Sequence, residues 1–243
     1  MNAPAGEPPR GAESGGKVAI SETRLALRAR IRGIYAITPD EDDTDILLAK
    51  TLLVLRGGAR VVQYRHKSAS RALRHEQASA LVALCHQRKS LLIVNDHLDL
   101  ALEVEADGLH IGDTDGDLST QRSLLGPKRL LGISCYDRLD RAEYALLAGA
   151  DYIAFGSMFQ SRTKPAATRA NLALFARARP LGLPMVGIGG INARNIDQLI
   201  EAGADAAALI SDLYDANDIR RHTYELARRL RTAAPDDSPP HTA

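Results

Sequence analysis

The sequence predicts a closed barrel of eight parallel β-strands alternating with helices, an α/β fold, and three observations carry that expectation. Short apolar runs and longer amphipathic runs alternate along 243 residues, the pattern of parallel strands joined by helical crossovers. A small residue followed by a polar one opens each even strand, in GGAR at 57, EADG at 105, AGAD at 148 and AGAD at 202, as expected where helix-ending glycines stand just before strands. The third is negative: no glycine-rich turn follows the first strand over Ala36 to Asp42, where an open doubly wound sheet would normally carry one. The number of units and the length favour closure into a single TIM barrel, with the open sheet as the alternative.

Taken in order, Ile34 to Thr38 reads as the first strand, halted by Pro39, and Thr44 to Arg56 as a helix ended by Gly57 and Gly58. Arg60 to Arg65 is the second strand, Arg71 to Arg88 a helix and Leu91 to Val94 the third strand. A short helix over Asp99 to Glu105 leads to the strand Asp107 to Ile111, and a weaker one over Leu118 to Leu125 leads to the strand Leu130 to Ser134. The helix Arg138 to Ala148, the strand Asp151 to Phe155, the helix Arg169 to Ala178 and the strand Pro184 to Ile188 follow. Asn192 to Ala202 and Asn217 to Leu230 are helices around the eighth strand, Ala206 to Ile210. Residues 1–22 and 233–243 are rich in Gly, Pro and Ala, offer little to pack and are expected to be disordered tails flanking a catalytic barrel over 23–232. Arg24 to Arg32 reads as a short basic helix.

Composition narrows the function. A formal charge of +1 lacks the excess of Lys and Arg that a nucleic-acid partner asks for. Cys85 and Cys135 are too few and too far apart for a disulfide framework or a thiolate metal site, which fits a reducing cytoplasm. No apolar run approaches the roughly 20 residues of a membrane span. Self-association is left open.

In such a barrel the polar residues just past each strand share one face. The third and fourth strands end in Asn95 and Asp96 and in Asp113 and Asp115; a right-handed crossover sets them side by side, so Asp96 and Asp115 can converge on one magnesium ion shared with phosphate oxygens. Helix capping is the other reading of these aspartates. In QYRHK, Gln63, Arg65 and Lys67 alternate, so an extended chain points all three to one side, where a bound diphosphate would compensate the buried cations. Alternatively Arg65 and Lys67 lie beyond the strand in solvent. GIGGI at 187 follows the seventh strand and is expected to open a helix; with Ile210 and Ser211 it stands where barrels hold a phosphate, unless the glycines serve only a tight turn. The loop Gly156 to Pro165 offers Ser161, Thr163 and Lys164 as donors that could close over a ligand. His110 lies inside an apolar strand and reads as a satisfied core residue; His66, His97 and His110 are not spaced as metal ligands. The residues alone thus point to a magnesium-dependent barrel enzyme acting on phosphorylated small molecules.

YAIT at 35, QYRHK at 63, IVNDHLDLAL at 93, ADGLHIGDTD at 106, LGIS at 131, ADYIAFGSMFQSRTK at 150, VGIGGI at 186 and AGADAAALIS at 202 resemble, in this order and spacing, the thiamine phosphate synthase family over Ile34 to Ser211. The resemblance implies a transferase joining 4-amino-5-hydroxymethyl-2-methylpyrimidine diphosphate to 4-methyl-5-(2-phosphoethyl)thiazole, through a pyrimidine carbocation formed as diphosphate leaves. It implies that Gln63, Arg65, Lys67, Asn95, Ser134 and Lys164 bind the pyrimidine diphosphate, with Ser134 and Lys164 counted as catalytic, and that Asp96 and Asp115 bind magnesium. Ser161, Arg162, Thr163, Gly190, Ile210 and Ser211 would hold the thiazole phosphate. Three positions depart from the family pattern: Asp113 stands where Gln is usual, Ser161 where Thr is usual, and Cys135 with Tyr136 follow Ser134 in place of a small polar residue and His. A thiazole tautomerase of the same barrel family and a noncatalytic binder of thiamine precursors are the alternative readings.

Overall fold

The computed structural model describes residues 20–112, 117–160 and 169–232. Most of the two expected tails lies outside the described residues, as do Asp113, Asp115, Ser161, Arg162, Thr163 and Lys164. Strands β1 (Gly33–Ile37), β2 (Val61–Tyr64), β3 (Leu91–Asn95), β4 (Gly108–Ile111), β5 (Leu130–Tyr136), β6 (Tyr152–Gly156), β7 (Met185–Ile188) and β8 (Ala206–Leu209) pair in sequence order. β8 pairs in parallel with β1, so the sheet closes on itself as the expected barrel. Helices α1 (Glu22–Arg28), α2 (Thr44–Arg56), α3 (Arg71–Gln87), α4 (Leu98–Glu103), α5 (Leu118–Leu125), α6 (Leu139–Leu147), α7 (Ala173–Ala178), α8 (Ile196–Glu201), α9 (Ser211–Tyr214) and α10 (Ile219–Thr232) accompany them.

Alternation along each strand sorts the core into two layers. One residue of each pair, such as Val62, Leu92, Leu131, Ile153 and Met185, joins a large cluster with the surrounding helices. The other, such as Tyr35, Val61, Leu91, Ile93, Tyr152, Ala206 and Ala208, fills the barrel interior. Tyr152 occupies that interior because β5 opposite it carries glycine: a Cβ on Gly132 would stand 2.0 Å from the Tyr152 ring.

The repeated motif before the even strands has two physical parts. The residue after the helix takes a left-handed conformation, with φ of 103° at Gly58, 83° at Gly149 and 95° at Gly203, and Glu105 does so at 55° without being glycine. The aspartate that ends the motif is a clip between strands. Asp107 accepts the Leu92 N–H at 2.8 Å, Asp151 the Leu131 N–H at 2.8 Å and Asp205 the Met185 N–H at 2.8 Å, each tying an even strand to the odd one before it. At the first copy Arg60 takes the aspartate's place.

The expected basic helix forms as α1, over Glu22–Arg28 and not Arg24 to Arg32, capped by Ser21, whose side chain accepts the Arg24 N–H. It crosses the floor of the barrel, at the amino ends of the strands. Ile31, just after it, is buried with the interior cluster, and Arg30 donates to the Lys89 carbonyl at 2.8 Å. Arg24 is 4% exposed. Its Nε donates to Asp151 at 2.6 Å and its Nη2 to the Gly149 carbonyl at 2.6 Å, while Arg122 donates to the other Asp151 oxygen at 3.1 Å. One fully buried carboxylate therefore carries two guanidinium groups and a backbone N–H.

Two helices start four residues later than expected. The helix predicted over Arg169 to Ala178 begins at Ala173. The one predicted from Asn192 begins at Ile196, because the Asn192 and Asn195 side chains bond locally to the backbone: Asn195 Oδ1 accepts the Asn192 N–H at 2.9 Å and Asn192 Oδ1 accepts the Arg194 N–H at 2.9 Å.

Removing the buried carboxylate leaves two cations without it, so Asp151→Ala should lower the free energy of unfolding by about 3–5 kcal/mol. Asp205→Ala removes the same type of clip beside the more exposed Arg179 and should cost only about 1 kcal/mol. Urea titrations of the two variants and the parent measure both, and equal losses would show that the arginine pair adds nothing to the clip.

Candidate functional site

The carboxyl ends of the strands form the mouth opposite α1. Gln63 points into the barrel from β2 and is 3% exposed; its Nε2 donates to the Tyr35 hydroxyl at 2.9 Å. Arg65 and Lys67 lie past the end of β2, so the cationic pair is not buried inside the barrel as an extended strand would have placed it. Thr38, buried past β1, shapes this turn: its hydroxyl accepts the Arg65 N–H at 2.9 Å and donates to the Arg65 carbonyl at 3.0 Å. Asp40 accepts the Lys67 N–H at 3.1 Å and stands 3.6 Å from the Arg65 guanidinium, a distance that leaves the guanidinium only loosely held.

Asn95 closes β3 in register with His110 of β4, and Asp96 follows it with φ of 62°, its N–H donating to the His110 carbonyl at 2.9 Å. The helix beyond takes His97, not Asp96, as its N-cap residue. A cleft of about 210 Å³ unites these ends: Arg65, Lys67, Asn95 and Asp96 line it, together with Arg74 from α3. Arg74 was not singled out by the sequence, since nothing in a helical run marks one arginine as facing the mouth.

Ser134 points inward near the end of β5, and its hydroxyl lies 2.9 Å from His110 Nε2. Arg141, reaching up from α6, donates to the Ser134 carbonyl at 2.7 Å and to the Gly112 carbonyl at 2.8 Å, and so fixes the ends of β4 and β5 relative to each other. His110 is the buried, hydrogen-bonded residue expected, but its bond to Ser134 was not foreseen. Sequence spacing could have suggested it, because His110 and Ser134 both fall on inward positions of adjacent strands.

After β7, Gly189 and Gly190 have φ of 99° and 64°. A Cβ on Gly190 would meet the Gln160 carbonyl oxygen at 2.4 Å, so the turn packs backbone on backbone against the segment after β6. The Gly190 carbonyl accepts from Asn192 at 3.1 Å and Asn195 at 2.9 Å. The glycine pair does not open a helix directly as expected; the four-residue turn at 192–195 intervenes. Ile210 and Ser211 follow β8, Ser211 starting the short helix α9. A short extra helix after the last strand is where phosphate sites of such barrels recur.

Among the described residues no three His, Cys, Asp or Glu side chains group as a metal cage, and no helix is long and apolar enough to cross a membrane.

Comparison with known proteins places this architecture. A family profile described as thiamine monophosphate synthase matches residues 34–213. The chain is 52% identical over 206 residues to the thiamine-phosphate synthase of Thiobacillus denitrificans, covering 84% of this chain and 97% of that one. It is 51% identical over 189 residues to that of Methylobacillus flagellatus, covering 78% and 90%. Among solved structures, thiamine phosphate pyrophosphorylase from Pyrococcus furiosus superposes with a TM-score of 0.77 at 30% identity, covering 86% of this chain and all of that one. The chain belongs to the thiamine monophosphate synthase family.

Proposed function

We propose that the family's reaction runs at the mouth formed by the ends of β2, β3, β5, β7 and β8. The reaction transfers the pyrimidine methylene group of 4-amino-5-hydroxymethyl-2-methylpyrimidine diphosphate to the thiazole nitrogen of 4-methyl-5-(2-phosphoethyl)thiazole, giving thiamine monophosphate and diphosphate. Supporting the assignment above all is one cleft in which Arg65, Lys67 and Arg74 face the same space as Asn95 and Asp96. Among the described residues, three cations beside a single carboxylate suit a polyanion that arrives with a divalent metal.

In this reading Arg65 and Lys67 hold the diphosphate, Asn95 bonds to it, and Gln63 and Ser134, lying deeper, orient the pyrimidine end. Lys164, outside the described residues, would meet the leaving group. Asp96 and Asp115 would hold magnesium: hard carboxylate oxygens few enough to leave coordination positions for phosphate fit that ion, which when bound supplies charge neutralisation of the leaving diphosphate. The carbon–oxygen bond to diphosphate breaks, its electron pair leaves with the diphosphate, and the thiazole nitrogen supplies the pair that forms the new carbon–nitrogen bond. The protein's share is to stabilise departing charge and to align the acceptor; the reaction needs no nucleophile from the chain. The backbone at Gly190, with Ile210, Ser211, Ser161, Arg162 and Thr163, would hold the thiazole phosphate on the opposite side of the mouth. The tautomerase and binder readings are not favoured, since the relatives at about half identity are thiamine-phosphate synthases by name.

Purified protein given both precursors and magnesium should release thiamine monophosphate and diphosphate in equal amounts, and chelation with EDTA should stop the release. Binding of both precursors without product would sink the reading in favour of a binder. Asp96→Asn tests the metal assignment with the backbone preserved, because asparagine tolerates the left-handed conformation that alanine resists. Turnover should fall by about 100- to 1,000-fold, with unfolding free energy changed by less than about 1 kcal/mol. A large loss of stability with turnover per folded molecule unchanged would make Asp96 structural.

A further inference from the structure

Between Gln63 and Ser134, the two inward residues placed at the pyrimidine end, the barrel interior contains an unbroken line of hydrogen bonds. Gln63 Nε2 donates to the Tyr35 hydroxyl at 2.9 Å, the Tyr35 and Tyr152 hydroxyls stand 2.8 Å apart, Tyr152 lies 3.1 Å from His110 Nδ1, and His110 Nε2 lies 2.9 Å from Ser134 Oγ. Tyr35 is 1% exposed, Tyr152 fully buried, Gln63 3% and His110 7% exposed, so water does not compete along the line. Burial holds both phenols protonated by raising them well above the ordinary tyrosine range. Ser134 alone is part-exposed, at the mouth.

Each hydroxyl in such a line gives one proton and accepts another, so with a neutral imidazole the line has only two consistent polarities. The Gln63 amide selects between them. Its N–H takes up the Tyr35 oxygen, which favours the polarity in which Tyr35 donates to Tyr152 and Tyr152 to His110 Nδ1. In that polarity a neutral imidazole carries its proton on Nε2 and gives it to Ser134 Oγ.

We infer that Tyr35, Tyr152 and His110 are positioning residues that act through this line: they leave the Ser134 hydroxyl as a hydrogen-bond donor, and Gln63 Oε1 as an acceptor, toward the substrate. A donor at Ser134 meets the bridging or phosphate oxygen that gains charge as diphosphate departs, or an acceptor nitrogen of the pyrimidine. An acceptor at Gln63 meets an exocyclic amino group. The two ends of the line thus set complementary hydrogen-bond characters from a single choice of direction. This inference rests on the reaction assigned above and adds to it what sets the polarity of two substrate contacts.

Two measurements test it, one of which needs no turnover. Nitrogen-15 spectra of histidine-labelled protein, with the His110 signals assigned by their loss in His110→Gln, should show the proton on Nε2 and an unprotonated Nδ1. A proton on Nδ1 would reverse the line and overturn the inference, whatever the enzyme does. In the second, Tyr152→Phe removes the central hydroxyl while keeping the ring. If the parent forms product, kcat in Tyr152→Phe should fall about tenfold, with KM for the thiazole phosphate unchanged, and the same change in a Ser134→Ala background should cost little more. Multiplying losses would show that Tyr152 does not act through Ser134. Should Tyr152→Phe fold poorly, Tyr35→Phe breaks the same line one step away and is read in the same cycle. A parent that forms no product fails the reaction assignment, while the spectra still decide the direction of the line.

Discussion

The constraint on which most of this structure depends is that a barrel of eight strands has an interior with no bulk water, so every polar group pointing inward must find a partner there. Most inward positions meet the constraint by being apolar, as Val61, Leu91, Ile93, Leu130 and Val186 do. The exceptions, Tyr35, Gln63, His110 and Tyr152, meet it by bonding to one another. They stand directly beneath the mouth, and the line they form ends on a hydroxyl that faces it. Satisfying the core and orienting the site are therefore the same set of bonds. Gly132 belongs to this arrangement as well, since any side chain there would take the space of the Tyr152 ring.

The two ends of the barrel treat charge differently. At the floor Asp151 is fully buried, and its two oxygens are taken up by Arg24, Arg122 and the Leu131 N–H, a closed set with nothing left to offer a ligand. At the mouth Arg65 is held only loosely by Asp40, at 3.6 Å, and Lys67 is solvent-exposed. A closed set fixes geometry; an open one keeps its attraction for an anion that has yet to arrive. The left-handed turn at Asp96 belongs to the open end, where local strain is tolerated because the surrounding strands fix the backbone on both sides.

What could be read from residues alone follows from the range of the interactions involved. The strands were legible because each is a short apolar run ended by a turn, and parallel pairing in chain order adds no information that the alternation lacks. The repeat before the even strands was legible as a helix stop; its aspartate clip was not, since the N–H it accepts lies on a different strand, 15 residues away for Asp107 and Leu92. The late start of α8 is a competition between asparagine side chains and the helix that a periodicity argument does not weigh. Ser134, Asn95 and Gln63 could be collected as one set because closure of the sheet brings strand ends together. Arg74 could not, because its approach depends on how α3 leans on the barrel. The line from Gln63 to Ser134 needs contacts across the barrel between β1 and β6, which no local pattern encodes.

The departures from the family pattern near Ser134 take on a structural meaning once alternation is applied to β5. Ser134 points inward, so Cys135 points outward, where it is buried with the helix-facing cluster and its thiol is pushed up to about 12 by that burial. The register against β6 slips between Ser134 and Tyr136, so the chain kinks as the strand ends. Tyr136 then turns to the surface, its ring 5.8 Å from the Arg141 guanidinium. That same guanidinium donates to the Ser134 carbonyl. Cys135 therefore fills space behind the site without supplying chemistry to it, and Tyr136 flanks the arginine that holds Ser134 in place. The inward face of β5 keeps the serine on which the chemistry is proposed to turn.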